Sequence, residues 1–391
     1  MSLSGLNPPE RLLLGPGPSN VDPRVKRALS SPLVGYMDPY YLQAMDETGE
    51  LLRYLFRTEN KLTFAVPGTG MAGMEAAICN ILEAGDELVV GVNGFFSERM
   101  CEIASRIGGK TVKVMGEWGE IVAKEAVEEA LRSSDAKAIA VVQGETSTGV
   151  LQPIEELSKL AREYDALLIV DAVTSLGGCE LNVDAWSVDV CFSASQKCLN
   201  CPPGLAPITL SESALNVIMN RKSKVPSFYL DLPLIYKYWS DERVYHHTGP
   251  VSMVYALREA LRIVREEGIE ERWARHGRNS RAFISGIEAL GMGMHAQEGH
   301  RLPSLNTVKV PEGVSDLNVR RMLLEDFKIE VGAGLGALKG KIWRVGLMGL
   351  NSSERNVIIV LEALERALKR EGYPIKLGEG VGAATGFYDS A

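Results

Sequence analysis

Between Lys61 and Leu210 one pattern repeats: a short apolar, β-prone run, a stretch of helical spacing, then another such run. The runs fall at 62–66, 87–91, 111–115, 137–142, 166–171, 188–193 and 205–210. Strands joined through helices pair mostly in parallel and carry helices on both faces, so they read as continuous apolar runs rather than alternating ones. The expected fold is therefore α/β, with a mostly parallel seven-stranded sheet. Open sheets of this kind bind ligands beyond the carboxyl ends of their strands, so the residues just after each run are the first candidates for chemistry.

At 391 residues the chain is too long for one simple core. After Gly249 the pattern changes to two long amphipathic helices, 256–267 and 270–290, then short strands at 306–310, 329–332 and 342–346 with helices at 315–327 and 353–369. We read four parts: an amino-terminal arm, 1–20; a large domain, 21–255; a smaller α+β domain, 256–375; and a tail, 376–391, rich in Gly and Ala and expected to be weakly ordered. The net charge of −8, with no long basic run, argues against nucleic acid as a partner. No stretch approaches the roughly 20 unbroken apolar residues of a membrane span, and the amino terminus lacks a charged segment followed by an apolar one. Six cysteines sit mostly in apolar or helical stretches, as reduced thiols do, so a cytoplasmic protein without structural disulfides is expected.

Two residues that follow strands answer each other. Lys197 lies in Ser193-Ala-Ser-Gln-Lys-Cys-Leu-Asn200 after one apolar run, and Asp171 ends another, Ala166-Leu-Leu-Ile-Val-Asp171. An amine that forms a Schiff base, placed near a carboxylate that keeps a pyridine nitrogen protonated, is what pyridoxal phosphate (PLP) chemistry requires. Taken singly, Lys197 reads as a solvated surface charge and Asp171 as a helix N-cap. Pro67-Gly-Thr-Gly-Met71 follows a strand and opens a helix, where backbone N–H groups and the helix dipole hold a phosphate, or where glycine merely permits close packing. It departs from the dinucleotide spacing because Gly73 comes too soon after Gly70, which disfavours a nicotinamide cofactor. Val173 and Phe96 are candidates to pack on the two faces of a ring, and Thr146 to donate to its oxygen. Arg344, in a small-domain strand, is a candidate to grip a carboxylate with its planar fork. Cys198-x-x-Cys201 lacks the further ligands a zinc site needs and reads as two small buried residues. His246 and His247 are adjacent and no His-Glu-x-x-His pattern exists, so no metal is expected.

In combination these residues resemble the class V aminotransferases of PLP fold type I, and within them the alanine:glyoxylate and serine:pyruvate group. The resemblance covers nearly the whole chain. It begins at Leu14-Gly-Pro-Gly-Pro-Ser-Asn20 and continues through Gly144-Glu-Thr-Ser-Thr-Gly-Val-Leu-Gln-Pro153, Val170-Asp-Ala-Val-Thr-Ser-Leu-Gly-Gly178 and Ser195-Gln-Lys-Cys-Leu-Asn-Cys-Pro-Pro-Gly204. It then reaches Tyr245-His-His-Thr248 and Arg344-Val-Gly-Leu347. It implies that Lys197 forms the internal aldimine, that Asp171 pairs with the ring nitrogen, and that Val173 and Phe96 sandwich the ring. It also implies that Thr69, Gly70 and Gln196 bind the phosphate with Tyr245 and Thr248 of a neighbouring subunit, in a homodimer with shared sites. Arg344 would hold the substrate carboxylate, with Gly17 and the loop around it near the substrate. Phe96 stands where tryptophan is common in the animal members, Thr146 where serine is common, and Met71 where a polar residue is often seen. Met71 removes a polar contact to the cofactor and leaves substrate preference open.

The reaction this implies is a ping-pong transamination from a small amino acid, alanine or serine, to a 2-oxo acid, chiefly glyoxylate. One arginine holds one carboxylate, and no second basic residue is placed for a dicarboxylic side chain. Two alternatives compete: a cysteine desulfurase-like reaction, which needs a reactive thiol on a loop, and a non-catalytic relative serving as a subunit of a larger assembly.

Overall fold

The computed structural model describes residues 5–390. The seven apolar runs become strands β1 (Leu62–Pro67), β2 (Glu87–Val92), β3 (Lys110–Met115), β4 (Ala136–Val142), β5 (Leu167–Asp171), β6 (Val190–Phe192) and β7 (Leu205–Leu210). They form one sheet in the order β1-β7-β6-β5-β4-β2-β3. Only β7 runs against its neighbours. Helices cover both faces, so β5 and β7 are buried at every position, which is why they carry almost no polar residue. The edge strand β3 instead exposes Lys110 and Lys113, charges that oppose pairing with another chain.

Because β1, β4, β5 and β6 are parallel, their carboxyl ends meet at one edge of the sheet. Register places Val142 beside Asp171, and Asp171 beside Phe192. The helix α1 (Gly70–Ile81) starts just after β1, and α2 (Phe95–Arg106) just after β2.

Two helices, α3 (Val251–Glu267) and α4 (Ile269–Ala289), meet at Gly268 and lead into the carboxyl-terminal part. There β8 (Leu305–Lys309), β9 (Gly332–Ala333) and β10 (Ile342–Gly346) make an antiparallel sheet in the order β8-β10-β9. A second apolar core gathers around it, with Trp343, Phe283 and Leu361 fully enclosed. The first core takes in Ala256, Leu257, Ala260, Leu261 and Ile269 as well, residues that spacing alone assigns to the second domain. The arm belongs to the second core: Leu12–Leu13 pairs in parallel with Ile329–Glu330, Leu14 is buried there, and Gly346 N donates to Leu14 O at 2.9 Å.

The expected loose tail is a correction. Glu379–Ser390 forms a helix, α6, packed along α4 and α5 (Glu354–Arg370). Gly380, Ala384 and Tyr388, spaced four apart, form its buried face, and Tyr388 Oη donates to Asn279 Oδ1 at 2.7 Å. The buried Glu365 accepts from the N–H groups of Gly378, Gly380 and Val381 at 2.6, 2.9 and 3.1 Å, which anchors the start of the helix. Ala391 lies outside the described residues. No helix among those residues is long and apolar enough to cross a membrane.

Candidate functional site

The segments after β1, β2, β4, β5 and β6 enclose a cavity lined by Thr69, Gly70, Met71, Phe96, Thr146, Asp171, Val173, Gln196 and Lys197. Nine sequence candidates thus meet in one place. Met74, Val142, Gly144 and Thr174 line it too. Sequence reasoning passed over these because apolar and small residues beside a strand end carry no chemical signal of their own.

Asp171 is fully enclosed, and among the described residues its carboxylate accepts one hydrogen bond, from Val173 N at 2.7 Å. Burial pushes its pKa up to about 7, with the nearby Glu145 adding to the rise and Lys197 opposing it. Lys197 is driven the other way: burial, then the positive charge of Arg344, bring its ammonium down to about 8. A cation in front of Asp171 would draw it back to the ionised form. A protonated pyridine nitrogen is such a cation.

The arm closes over the lysine. Lys197 Nζ donates to Pro16 O, and Ser19 Oγ donates to Lys197 O at 2.7 Å. Gly17 has φ 104°, and a Cβ there would sit 2.7 Å from Lys197 Cδ and 2.8 Å from Nζ, so no other residue fits without displacing the amine. Behind the lysine, buried Arg272 donates to Cys198 O at 2.5 Å and to Gly177 O at 3.1 Å.

On the phosphate side, Thr69 is the N-cap of α1 but places no side-chain hydrogen bond on the helix, and among the described residues the N–H groups of Gly70 and Met71 have no acceptor, which leaves them for an anion. The buried Oε1 of Gln196 has no hydrogen-bond partner among the described residues. Arg344 is held by Nε donating to Ala333 O at 2.6 Å and Nη1 donating to Thr146 O at 3.4 Å. Burial lowers its pKa to about 10 while Glu145 supports the charge. Free N–H groups at a helix start, a buried acid and a shielded amine fit a phosphorylated pyridine aldehyde.

Tyr245 and Thr248 stand apart from this cavity. Both are exposed, with Tyr245 Oη 3.4 Å from Thr248 Oγ1, in a patch where Tyr245 packs on Tyr36 at 5.2 Å and Phe228 stacks on His246 at 4.9 Å. All six cysteines are buried and unpaired, and burial pushes every thiol upward. Among the described residues, no three His, Cys, Asp or Glu side chains are grouped to hold a metal.

Comparison with known proteins agrees with the geometry. A family model for the class-V aminotransferases matches residues 34–354. The (S)-ureidoglycine–glyoxylate transaminase of Bacillus subtilis is 39% identical over 401 residues, covering 98% of this chain and 96% of the relative. The alanine–glyoxylate aminotransferase of Callithrix jacchus is 41% identical, covering 94% and 90%. The crystal structure of an alanine–glyoxylate aminotransferase from Nostoc sp. superposes with a TM-score of 0.93 at 47% identity, covering 94% of this chain and 98% of that one.

Proposed function

The chain belongs to the class-V aminotransferase family, and from that premise we propose that it moves the amino group of a small amino acid to glyoxylate with PLP held at Lys197. The observation that carries this reading is the Lys197–Asp171 pair, an amine and an acid facing one cavity with burial pushing their pKa values toward each other.

Bound there, PLP supplies an electron sink conjugated to the substrate's Cα. The chain supplies the rest. Asp171 holds a proton at the ring nitrogen, which keeps that sink effective. Phe96 and Val173 pack on the ring's faces, Thr146 donates to its oxygen, and Thr69, Gly70 and Gln196 receive the phosphate. Arg344 clamps the substrate carboxylate, which fixes the direction of the Cα–H bond. Lys197, with much of its amine neutral near pH 8, would take the proton from the substrate's Cα and return it to the cofactor carbon on the far side of the imine nitrogen. Gly17 and Pro16 shield this transfer from water. Donor and acceptor use the same cavity in turn, so the kinetics are ping-pong.

Among the described residues that line the cavity Lys197 is the one cation, and Arg344 lies just behind the lining, donating to Thr146 O and acting on Lys197 through its charge, so a second carboxylate on the donor finds no partner there, which favours alanine or serine over dicarboxylic donors. Similarity to the Bacillus subtilis enzyme favours ureidoglycine as a second donor to test. Six thiols raised by burial leave cysteine desulfuration without a thiolate, and they suit the reducing cytosol. The exposed aromatic patch around Tyr245 fits a second copy of the chain, whose Tyr245 and Thr248 would complete the phosphate site.

The purified protein should be yellow, and borohydride should bleach it and fix the label on Lys197. A colourless chain that takes up no PLP overturns the reading. A panel of alanine, serine, ureidoglycine and aspartate against glyoxylate and pyruvate then identifies the substrates, and preferred use of aspartate would refute the single-carboxylate argument.

A further inference from the structure

Glu145 is wholly buried beside the cavity, yet the reaction gives it no proton to move and no ligand to touch. Its surroundings are nonetheless built with care. One oxygen accepts from the backbone N–H groups of Phe96 and Ser97, both at 3.1 Å. The other accepts from Ser147 N at 3.1 Å and from the Ser147 hydroxyl at 2.6 Å. Ser147 Oγ in turn accepts from Phe95 N at 2.9 Å. The first three N–H groups of α2, which a helix cannot satisfy internally, are therefore all satisfied by the turn after β4. Gly94 makes this approach possible, since a Cβ there would lie 2.5 Å from both Glu145 Cδ and Ser147 Oγ.

Every group facing the carboxylate is a donor. An acceptor-only side chain is required, and glutamine, though the same shape, would aim its own N–H groups at other N–H groups. Burial raises the pKa of Glu145, and the donors from Ser147, Ser97 and Phe96 resist that rise. Arg344 is the positive charge that feels it.

We propose that Glu145 is a positioning residue for the reaction: it clamps the first turn of α2 to the turn after β4 and so holds Phe96 against the ring of the cofactor. The inference rests on the reading of the Lys197 cavity as a PLP site. It accounts for a buried charge that would otherwise be pure cost. It also explains how a ring-stacking residue in the first turn of a helix, where the backbone N–H groups have no partner within the helix, keeps its place.

The test is a cycle of Glu145→Gln, Phe96→Ala and the double variant, each prepared as apoenzyme and titrated with PLP. The readouts are the dissociation constant, the circular dichroism induced in the bound cofactor's visible band, and the melting temperature of the apoenzyme. Each single variant should bind PLP about tenfold more weakly with altered induced dichroism, and the double variant should be little worse than Phe96→Ala, because the two residues act as one. Glu145→Gln with wild-type affinity and dichroism overturns the proposal, as do losses that simply multiply in the double variant. Should Glu145→Gln fail to fold, Ser147→Ala carries the test: a several-fold loss that vanishes in the Phe96→Ala background supports it, and a loss that persists there overturns it. A wild-type chain that takes up no PLP sinks the functional reading itself, whereas wild-type binding with an indifferent Glu145→Gln sinks this inference alone.

Discussion

Lys197 and Asp171 are displaced in opposite directions by one cause, the removal of water, and each becomes useful through that displacement. Capture of PLP by the apoenzyme needs the neutral amine, so its rate should climb as pH rises through about 8 and level off above it, measured by stopped-flow absorbance. Lys197→Ala should lower turnover by about 1000-fold or more while leaving PLP bound but no longer fixable by borohydride. Gly17→Ala tests the covering loop: a methyl group 2.8 Å from Nζ should cut kcat by about tenfold or more, and the strain of alanine at φ 104° should also lower the apoenzyme's melting temperature, by less than the loss of turnover would require. Lys197, Asp171 and Thr69 were legible in the sequence because each follows an apolar run that can only be a buried strand. Glu145 was not. Its partners Phe96 and Ser97 lie 49 and 48 residues earlier, and they meet it only because β2 and β4 are neighbours, an order that periodicity does not specify.

At the level of elements, the seven strands were readable because burial on both sheet faces leaves uninterrupted apolar runs. The helix α6 was hidden for the converse reason. Its buried face is Gly380, Ala384 and Tyr388, and small residues give almost no hydropathy contrast even at perfect helical spacing. What fixes the helix is a carboxylate from another element, Glu365, fully enclosed and accepting three N–H groups. Glu365→Ala should cost about 1–3 kcal/mol, the penalty for stranding buried donors, and lower the urea midpoint of the second core. PLP affinity should stay as in the wild type, since α6 lies away from the cavity. Weakened PLP binding without loss of stability would contradict this account of the helix.

For the whole molecule, the aromatic surface around Tyr245 sets the expectation of a dimer. Neither Lys197→Ala chains nor chains carrying both Tyr245→Ala and Thr248→Ala should turn over alone. Mixed after mild dissociation, they should recover about a quarter of wild-type activity, because half the dimers are mixed and each mixed dimer has one intact site. No recovery from verified mixed dimers would place Tyr245 and Thr248 outside the partner's site. A change of pattern after Gly249 is visible in the sequence, but the reach of the first core along α3 is not, because an amphipathic helix does not announce which neighbour its apolar face will meet. The arm carries a consequence for synthesis. Leu12–Leu13 is made more than 300 residues before the strand it pairs with, Ile329–Glu330. A nascent chain halted before Ile329 would already contain the whole seven-stranded sheet while its nucleophilic lysine lay bare, so aldehyde-reactive probes should label stalled chains at Lys197 faster than released ones, the lid being the last part fitted.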